Sequence, residues 1–305
     1  MSRRNVLGLT RGIRVVVLAC LVLAQATTCF GWGDGGHMMV AHIAHERLND
    51  NAKAQADKLL AVQINPAAIT ATSLDFVNAS HWADDVKRLP DFDFSPDLHF
   101  VDFPFFIDQT KLQGQLPKQN NILTGLAKYV KVLKTSTVEA DRAEALRFII
   151  HFVGDIHQPL HCATRVDHDH PGGDIGGNQT HVKITQDGTT TKVKLHTYWD
   201  DGLFTFPKTG PNFTPPPLSE IPPAAATALE GNPDTDPKLK LNMPFDFKGW
   251  ATESSNLARN VVYKGIVDGQ PAPNGYEGRG AAVARQRVAW AGYRLAALLN
   301  AIWPK

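Results

Sequence analysis

Apolar residues recur at helical spacing in six stretches of the chain: Met38–Leu48, Ala52–Val62, Asn121–Leu133, Glu139–Phe152, Trp250–Val262 and Ala281–Ile302. Each stretch lines one face of a helix with apolar side chains that must be buried against a neighbour. Together they predict a mainly α fold, a compact helical bundle. One segment follows a different period. HVKIT and TKVKLH flank QDGTT, and alternation around an Asp-Gly pair predicts a short β-hairpin. That hairpin delivers His196 back towards the bundle. Residues 206–244 hold many prolines, among them Pro215–Pro217, Pro222 and Pro223, which predicts an irregular surface loop and not a second domain. The chain is therefore expected to form one domain over residues 32–305, with no internal repeat.

The N-terminus departs from this pattern. Arginines 3, 4, 11 and 14 precede the apolar run VVVLACLVLA at 15–24, followed by small and polar residues. This is the pattern of a secretory signal peptide over residues 1–31. The run is too short for a stable membrane helix, and no later segment approaches the roughly 20 apolar residues that one needs. The expected product is exported, periplasmic or secreted, without a membrane anchor. Loss of the leader removes four of the 31 basic residues and none of the 30 acidic ones, leaving 27 against 30, a balance of −3. A protein that holds nucleic acid by counterion release alone needs clustered lysine and arginine, so phosphate affinity here requires a local charge such as bound metal. Cys20 and Cys29 lie in or beside the leader, and Cys162 alone remains. No internal disulfide can form, and structural metal becomes the available staple.

The candidate ligands are concentrated in a few short segments. In HFVGDIHQPLH, His151 and Asp155 stand four apart on one helical face if the Glu139–Phe152 helix runs one more turn. Pro159 should end that helix and let His161 return to the same region. HTYWD repeats the spacing with His196 and Asp200, SHWADD contributes Asp84, and LHFVDF contributes His99 and Asp102. Imidazole and carboxylate are the usual zinc ligands once thiolates are excluded. A lone His/Asp pair is more often a cap or a surface pair; several pairs in one chain favour metal. WGDGGH, from Trp32 to His37, begins where the leader should end. An α-amine exposed at Trp32 could chelate zinc together with its own carbonyl, and His37 would add a side-chain ligand. Ala24-Gln25-Ala26 offers an alternative cleavage point that would leave the Trp32 amine inside a peptide bond.

These motifs, in this order from Trp32 to the helix containing GYRLAALLN, resemble the S1/P1 type of zinc-dependent single-strand nuclease. The resemblance implies the fold shared by that family and zinc phospholipase C, and a cofactor set of three zinc ions. It assigns Asp84, His99, His151 and Asp155 to one zinc, and the Trp32 amine and carbonyl, His37 and again Asp155 to a second. His161, His196 and Asp200 fall to a third. It further implies that Asp102 orients the attacking water, that Phe100 stacks on a base, and that Ile175 and Asn178 in the Gly176–Asn178 region contact the same base. The expected substrates are single-stranded DNA and RNA, with nucleotides as smaller substrates; the products carry a 5′-phosphate, and the enzyme acts as a monomer. Stacking selects unpaired strands because a duplex hides its base faces. A zinc phospholipase C is the alternative enzyme, although Asp200 is shorter than the glutamate of that family. A non-catalytic zinc-binding protein is the third reading. His42, His45, His81 and His157 are read as structural, His168 and His170 as an exposed loop, and Cys162 as a buried thiol.

Overall fold

The computed structural model describes residues 31–64, 75–186, 188–211 and 214–305; the leader, up to residue 30, lies outside them. At its centre is α5 (Glu139–Asp155), in which every residue from Ala145 to Asp155 is buried. A helix covered on all sides needs neighbours all round. They are α1 (Asp34–His45), α2 (Asp50–Leu60), α3 (Trp82–Val86), α4 (Ile122–Thr135) and α9 (Tyr276–Ile302). α6 (Leu195–Asp200) and α8 (Phe247–Leu257) close the C-terminal end of α5, where the chain turns through the 3-10 segment Pro159–Cys162. The predicted extension of α5 through Asp155 is observed, and its last turn places His151 and Asp155 on one face.

Local sequence accounts for the helix limits. Asn49 caps α2 by accepting from Ala52 N, and Asn121 caps α4 with a reciprocal bond from Thr124. α1 begins at Asp34, four residues before the expected Met38, because its first turn is Asp-Gly-Gly with no apolar residue to mark it. α1 and α9 approach closely at Gly292, where a Cβ would stand 2.5 Å from Ile43 Cγ2. One apolar cluster, from Trp32 to Trp303, runs through all these contacts. Full burial of each large side chain in it contributes roughly 1.5–3 kcal/mol.

The hairpin forms as predicted, β3 (His181–Gln186) pairing antiparallel with β4 (Thr189–Lys194). Three further short strands were not anticipated. β1 (Pro104–Phe106) pairs in parallel with β2 (Thr164–Val166), and β5 (Gln270–Pro271) adds to the free edge of β3. The expectation of an irregular loop over 206–244 is corrected. Within it Ile221–Leu229 forms α7, with Ile221, Ala225 and Ala228 buried against α1 and α9. Pro222 and Pro223 occupy its first turn, where a missing N–H costs no hydrogen bond. The same prolines that signal a break in sequence therefore start a helix. Among the described residues no helix is long and apolar enough to cross a membrane.

Candidate metal centre

Three groups of buried His and Asp side chains meet at the C-terminal end of α5: His37 with His151 and Asp155, Asp84 with His99 and His151, and His161 with His196 and Asp200. Asp155 is the hub. Its Oδ1 lies 3.3 Å from His37 Nε2 and 3.7 Å from His161 Nδ1; its Oδ2 lies 3.0 Å from His99 Nδ1 and 3.1 Å from His151 Nε2. Asp84 Oδ1 adds contacts of 3.5 and 3.6 Å to His99 and His151. In the third group His196 Nε2 stands 3.2 Å from His161 Nε2 and 3.6 Å from Asp200 Oδ1.

These distances test the fit to zinc. Ligand atoms about 2.0–2.1 Å from a tetrahedral ion stand roughly 3.4 Å apart, which matches the spacing in all three groups. The outer ring nitrogens agree. His151 Nδ1 donates to Ser80 O at 2.6 Å, His161 Nδ1 to His99 O at 2.7 Å and His196 Nδ1 to Gly176 O at 2.6 Å. Anchoring one ring nitrogen on a backbone carbonyl fixes the tautomer that turns the other towards a metal. Both ring nitrogens of His37, together with Asp155 Oδ1, are buried without a hydrogen-bond partner. A buried polar atom left unpaired is costly, and a cation between His37 Nε2 and Asp155 Oδ1 would satisfy those two, while Nδ1 faces Gly154. The described residues thus fit zinc at all three groups.

Without metal, the protein side leaves His37 and His99 neutral and His151 protonated, so a cation at His151 would displace a proton. Burial, reinforced by the charge of His151, lowers the pKa of His37 to about 4, and burial lowers His99 to about 4. Both rings are therefore neutral at neutral pH, as a ligand must be. Burial also opposes the charged form of His151, but the carboxylates of Asp155 and Asp84 outweigh it and raise this group to about 9. Burial opposes the charged form of both carboxylates, but positive charge beside them outweighs it: Lys87 and His151 hold Asp84 down, and His151 holds Asp155 down. Lys87 Nζ reaches Asp84 Oδ1 at 2.6 Å, both side chains buried.

Close packing sets this geometry. His37 lies flat on His151, with ring centroids 3.9 Å apart, and it can do so because residue 154 is glycine, where a Cβ would stand 2.6 Å from His37 Nδ1. A Cβ on Gly31 would fall 1.7 Å from Asp155 Oδ1 and 2.6 Å from His37 Nε2. The backbone entering Trp32 therefore lies against the Asp155 group. Trp32 itself is buried, its ring edge-on to Phe206 with centroids 5.5 Å apart.

The turn after Asp155 is held from behind. His157, read as structural, belongs to none of the three groups: its Nδ1 donates to Val153 O and its Nε2 accepts from Arg294. Arg294 makes a two-pronged contact with Glu253, which Arg287 shares, and Arg287 also donates to His157 O. Gln158 then donates to Asp200 Oδ1 at 2.7 Å, tying the turn to the third group. Cys162 is buried with its thiol pKa raised, above all by burial.

The residues expected to face substrate gather around the third group. Val101 N donates to His161 O at 2.7 Å, which sets the half-buried Phe100 and Asp102 beside it. Burial, with the charge of Asp174, raises Asp102 to about 6, against the opposing charges of His161, Lys118 and His196. Residues 175–177 all have positive φ, at 54°, 56° and 80°. Gly176 passes so close to Leu160 O that a Cβ there would stand 2.4 Å from it. Ile175, a β-branched residue in this left-handed conformation, is 37% exposed, whereas Asn178 is buried and donates to Ile175 O.

Sequence reasoning missed the residues behind this loop. The buried Asp174 carboxylate accepts from Arg165 N, Gly177 N, Thr180 Oγ1 and Tyr263 OH. Its place directly before Ile-Gly-Gly-Asn was the available signal. Nothing in the local pattern marked Tyr263, which arrives from the turn after α8. His168 is open to solvent, as read for an exposed loop, whereas His170 is mostly buried and pairs with Asp167.

Comparison with known proteins gives consistent matches. A family model described as S1/P1 Nuclease matches residues 32–304. Endonuclease 3 of Arabidopsis thaliana is 28% identical over 303 residues, covering 95% of this chain and 96% of that protein. Endonuclease 2 of the same plant is 28% identical over 323 residues, 96% of this chain and 98% of that one. Nuclease S1 of Aspergillus oryzae is 28% identical over 193 residues, 62% of this chain and 60% of that one.

Proposed function

This chain belongs to the S1/P1 nuclease family and is a phosphodiester hydrolase, and from that premise we propose a trinuclear-zinc endonuclease that cuts single-stranded DNA and RNA. The observation that carries the proposal is the set of three buried His/Asp groups whose ligand atoms all lie within 4.8 Å of one another, three of their histidines anchored on backbone carbonyls. Asp84, His99, His151 and Asp155 would hold one zinc, and His161, His196 and Asp200 another. His37 and Asp155 would hold the third with the amine and carbonyl of Trp32. The closeness of Gly31 to His37 and Asp155 supports a mature chain that begins at Trp32 after export.

Zinc at these positions would supply Lewis acidity for the phosphoryl oxygens and acidify a water for in-line attack. The chain's own groups do the rest. Asp102, as the carboxylate, accepts a hydrogen bond from the attacking water and fixes its approach. Lys87, buried beside Asp84, balances the charge of that carboxylate. Phe100 stacks on a base, and Ile175 and Asn178 close the other side of its pocket. Cleavage leaves the phosphate on the 5′ side of the product, and the same groups act on 3′-nucleotides. The enzyme works as a monomer.

The test is hydrolysis of single-stranded DNA by protein purified from the exported fraction, before and after chelation and after zinc is returned. Activity should vanish and return, with three zinc ions per chain by elemental analysis and a mass that starts at Trp32. A correctly processed, zinc-loaded protein that cleaves no single strand would overturn the proposal.

A further inference from the structure

A cleft of about 400 Å³ opens on the face formed by Phe94, Leu98, Asn120, Thr124, Gly125 and Lys128. None of these residues belongs to the metal groups or to the base pocket described above. Its walls are nevertheless built from the same segments. Leu98 directly precedes His99 on the 3-10 turn Pro96–His99, and α4 is tied to the next residue by a hydrogen bond from Ile122 N to Phe100 O at 3.0 Å. Asn120 and Thr124 flank that bond. Lys118, two residues earlier, pairs with Asp97 of the turn at 2.8 Å, and its charge is felt at Asp102. Along the chain, residues 118–124 thus lead from a lysine whose charge reaches Asp102 to the lining of the cleft.

The lining has the chemistry of a nucleotide site. Phe94 is 39% exposed, an unusual position for a phenylalanine with a buried aromatic cluster beside it. Lys128 holds its ammonium 5.2 Å from the Phe94 ring centroid and 4.7 Å from that of Tyr129. Asn120 brings an exposed amide, whereas the Thr124 hydroxyl is committed to the Asn121 cap. α4 carries Lys128, Lys131 and Lys134 and no acidic residue, in a chain whose balance without the leader is acidic. Thr124, Lys128 and Lys131 fall on one helical stripe at spacings of four and three. An aromatic face beside a short row of cations suits a base with its phosphates, and base stacking tolerates any sequence.

We propose that the Phe94–Lys128 cleft is a second nucleotide subsite, which stacks a base of the same single strand on Phe94 while Lys128 meets a neighbouring phosphate. The inference rests on the nuclease reading above and names how the enzyme holds a polymer beyond the nucleotide being cut. It makes affinity depend on strand length.

The test compares kcat/KM on a dinucleotide and on a DNA single strand of about twelve nucleotides, for wild type, Phe94→Ala and Lys128→Gln in the zinc-loaded protein. Phe94→Ala should lower the ratio of the two values by about 5- to 100-fold, the worth of one stacked base, and the loss should fall in KM with kcat retained. Lys128→Gln should reduce the salt dependence of KM for the longer strand by about 0.7 in log-log slope, one phosphate contact. Phe94→Trp provides a reporter: its fluorescence should be quenched by the longer strand and not by the dinucleotide. An unaltered ratio in Phe94→Ala, or equal quenching by both substrates, overturns the subsite while leaving the nuclease reading intact. A wild type that cleaves neither substrate overturns both.

Discussion

Asp155 and Gly176 support opposite sides of one site, and they do so by different means. Around Asp155 the geometry comes from side chains on regular secondary structure: His37 from α1, Asp84 from α3, His151 and Asp155 from α5. Their positions follow from helix packing, and the carboxylate itself links four imidazoles. Around Gly176 the geometry comes from the backbone. A run of three positive φ angles lays a carbonyl on His196 and presents Ile175 to solvent. The first region answers to a change of charge, of ligand or of the glycines packed on it; the second to where the chain can bend. The candidate ligands around Asp155 are thus placed by side chains on helices, and His196 by the backbone of the Gly176 loop.

The largest effect should come from breaking the first region. Asp155→Asn keeps the shape but removes the charge shared by His37, His99 and His151 and puts an amide N–H where an acceptor is needed. Single-strand hydrolysis should fall by about 10³-fold or more, with zinc content dropping by two ions per chain. Retention of all three zincs would mean that Asp155 is no bridge. A smaller effect is expected from the second region. Gly176→Ala puts a Cβ 2.4 Å from the Leu160 carbonyl in a left-handed conformation, at a strain of about 1–3 kcal/mol. The displaced carbonyl no longer orients His196, and activity should fall by about 10–100-fold, with zinc lost from the third group alone. If Gly176→Ala instead lost the same two zincs as Asp155→Asn, the regions would not be separable.

The same contrast explains what could be read without a structure. His151 and Asp155 were legible because four residues on a helix return to one face, and the helix was announced by its apolar period. Asp84 and His99 carried the right chemistry, but their grouping with α5 came only from family resemblance, since nothing local says that two distant segments meet. Pro222 and Pro223 misled because proline both ends and begins helices, and only the burial of Ile221, Ala225 and Ala228 decides which. Asp174 was hidden for a further reason. Its partners, Arg165 N, Gly177 N, Thr180 and Tyr263, come from three segments, and a carboxylate that satisfies backbone donors leaves no periodic trace.

Asp102 stands between the two regions, and its titration gives the finest test of their coupling. Without metal, burial raises it to about 6, and the neighbouring Asp174 adds to the rise. The sign is that of a carboxyl held protonated: below about pH 6 the neutral acid prevails, above it the carboxylate. A group that orients the attacking water must be a hydrogen-bond acceptor, so hydrolysis should fall as pH drops through the pKa of this group. Cations loaded beside His161 and His196 favour the carboxylate, so the acid limb of the loaded enzyme should lie below 6, and carboxyl NMR of Asp102 should move downward on zinc addition. Asp174→Asn removes the like charge, and the limb should move lower again by less than about one unit, a rate effect under about tenfold at any pH. Loss of loop geometry in that variant would scale the whole profile without moving its midpoint, so the midpoint isolates the electrostatic link. A midpoint that stays fixed in Asp174→Asn but disappears in Asp102→Asn would leave Asp102 as the titrating group and confine Asp174 to shaping the loop.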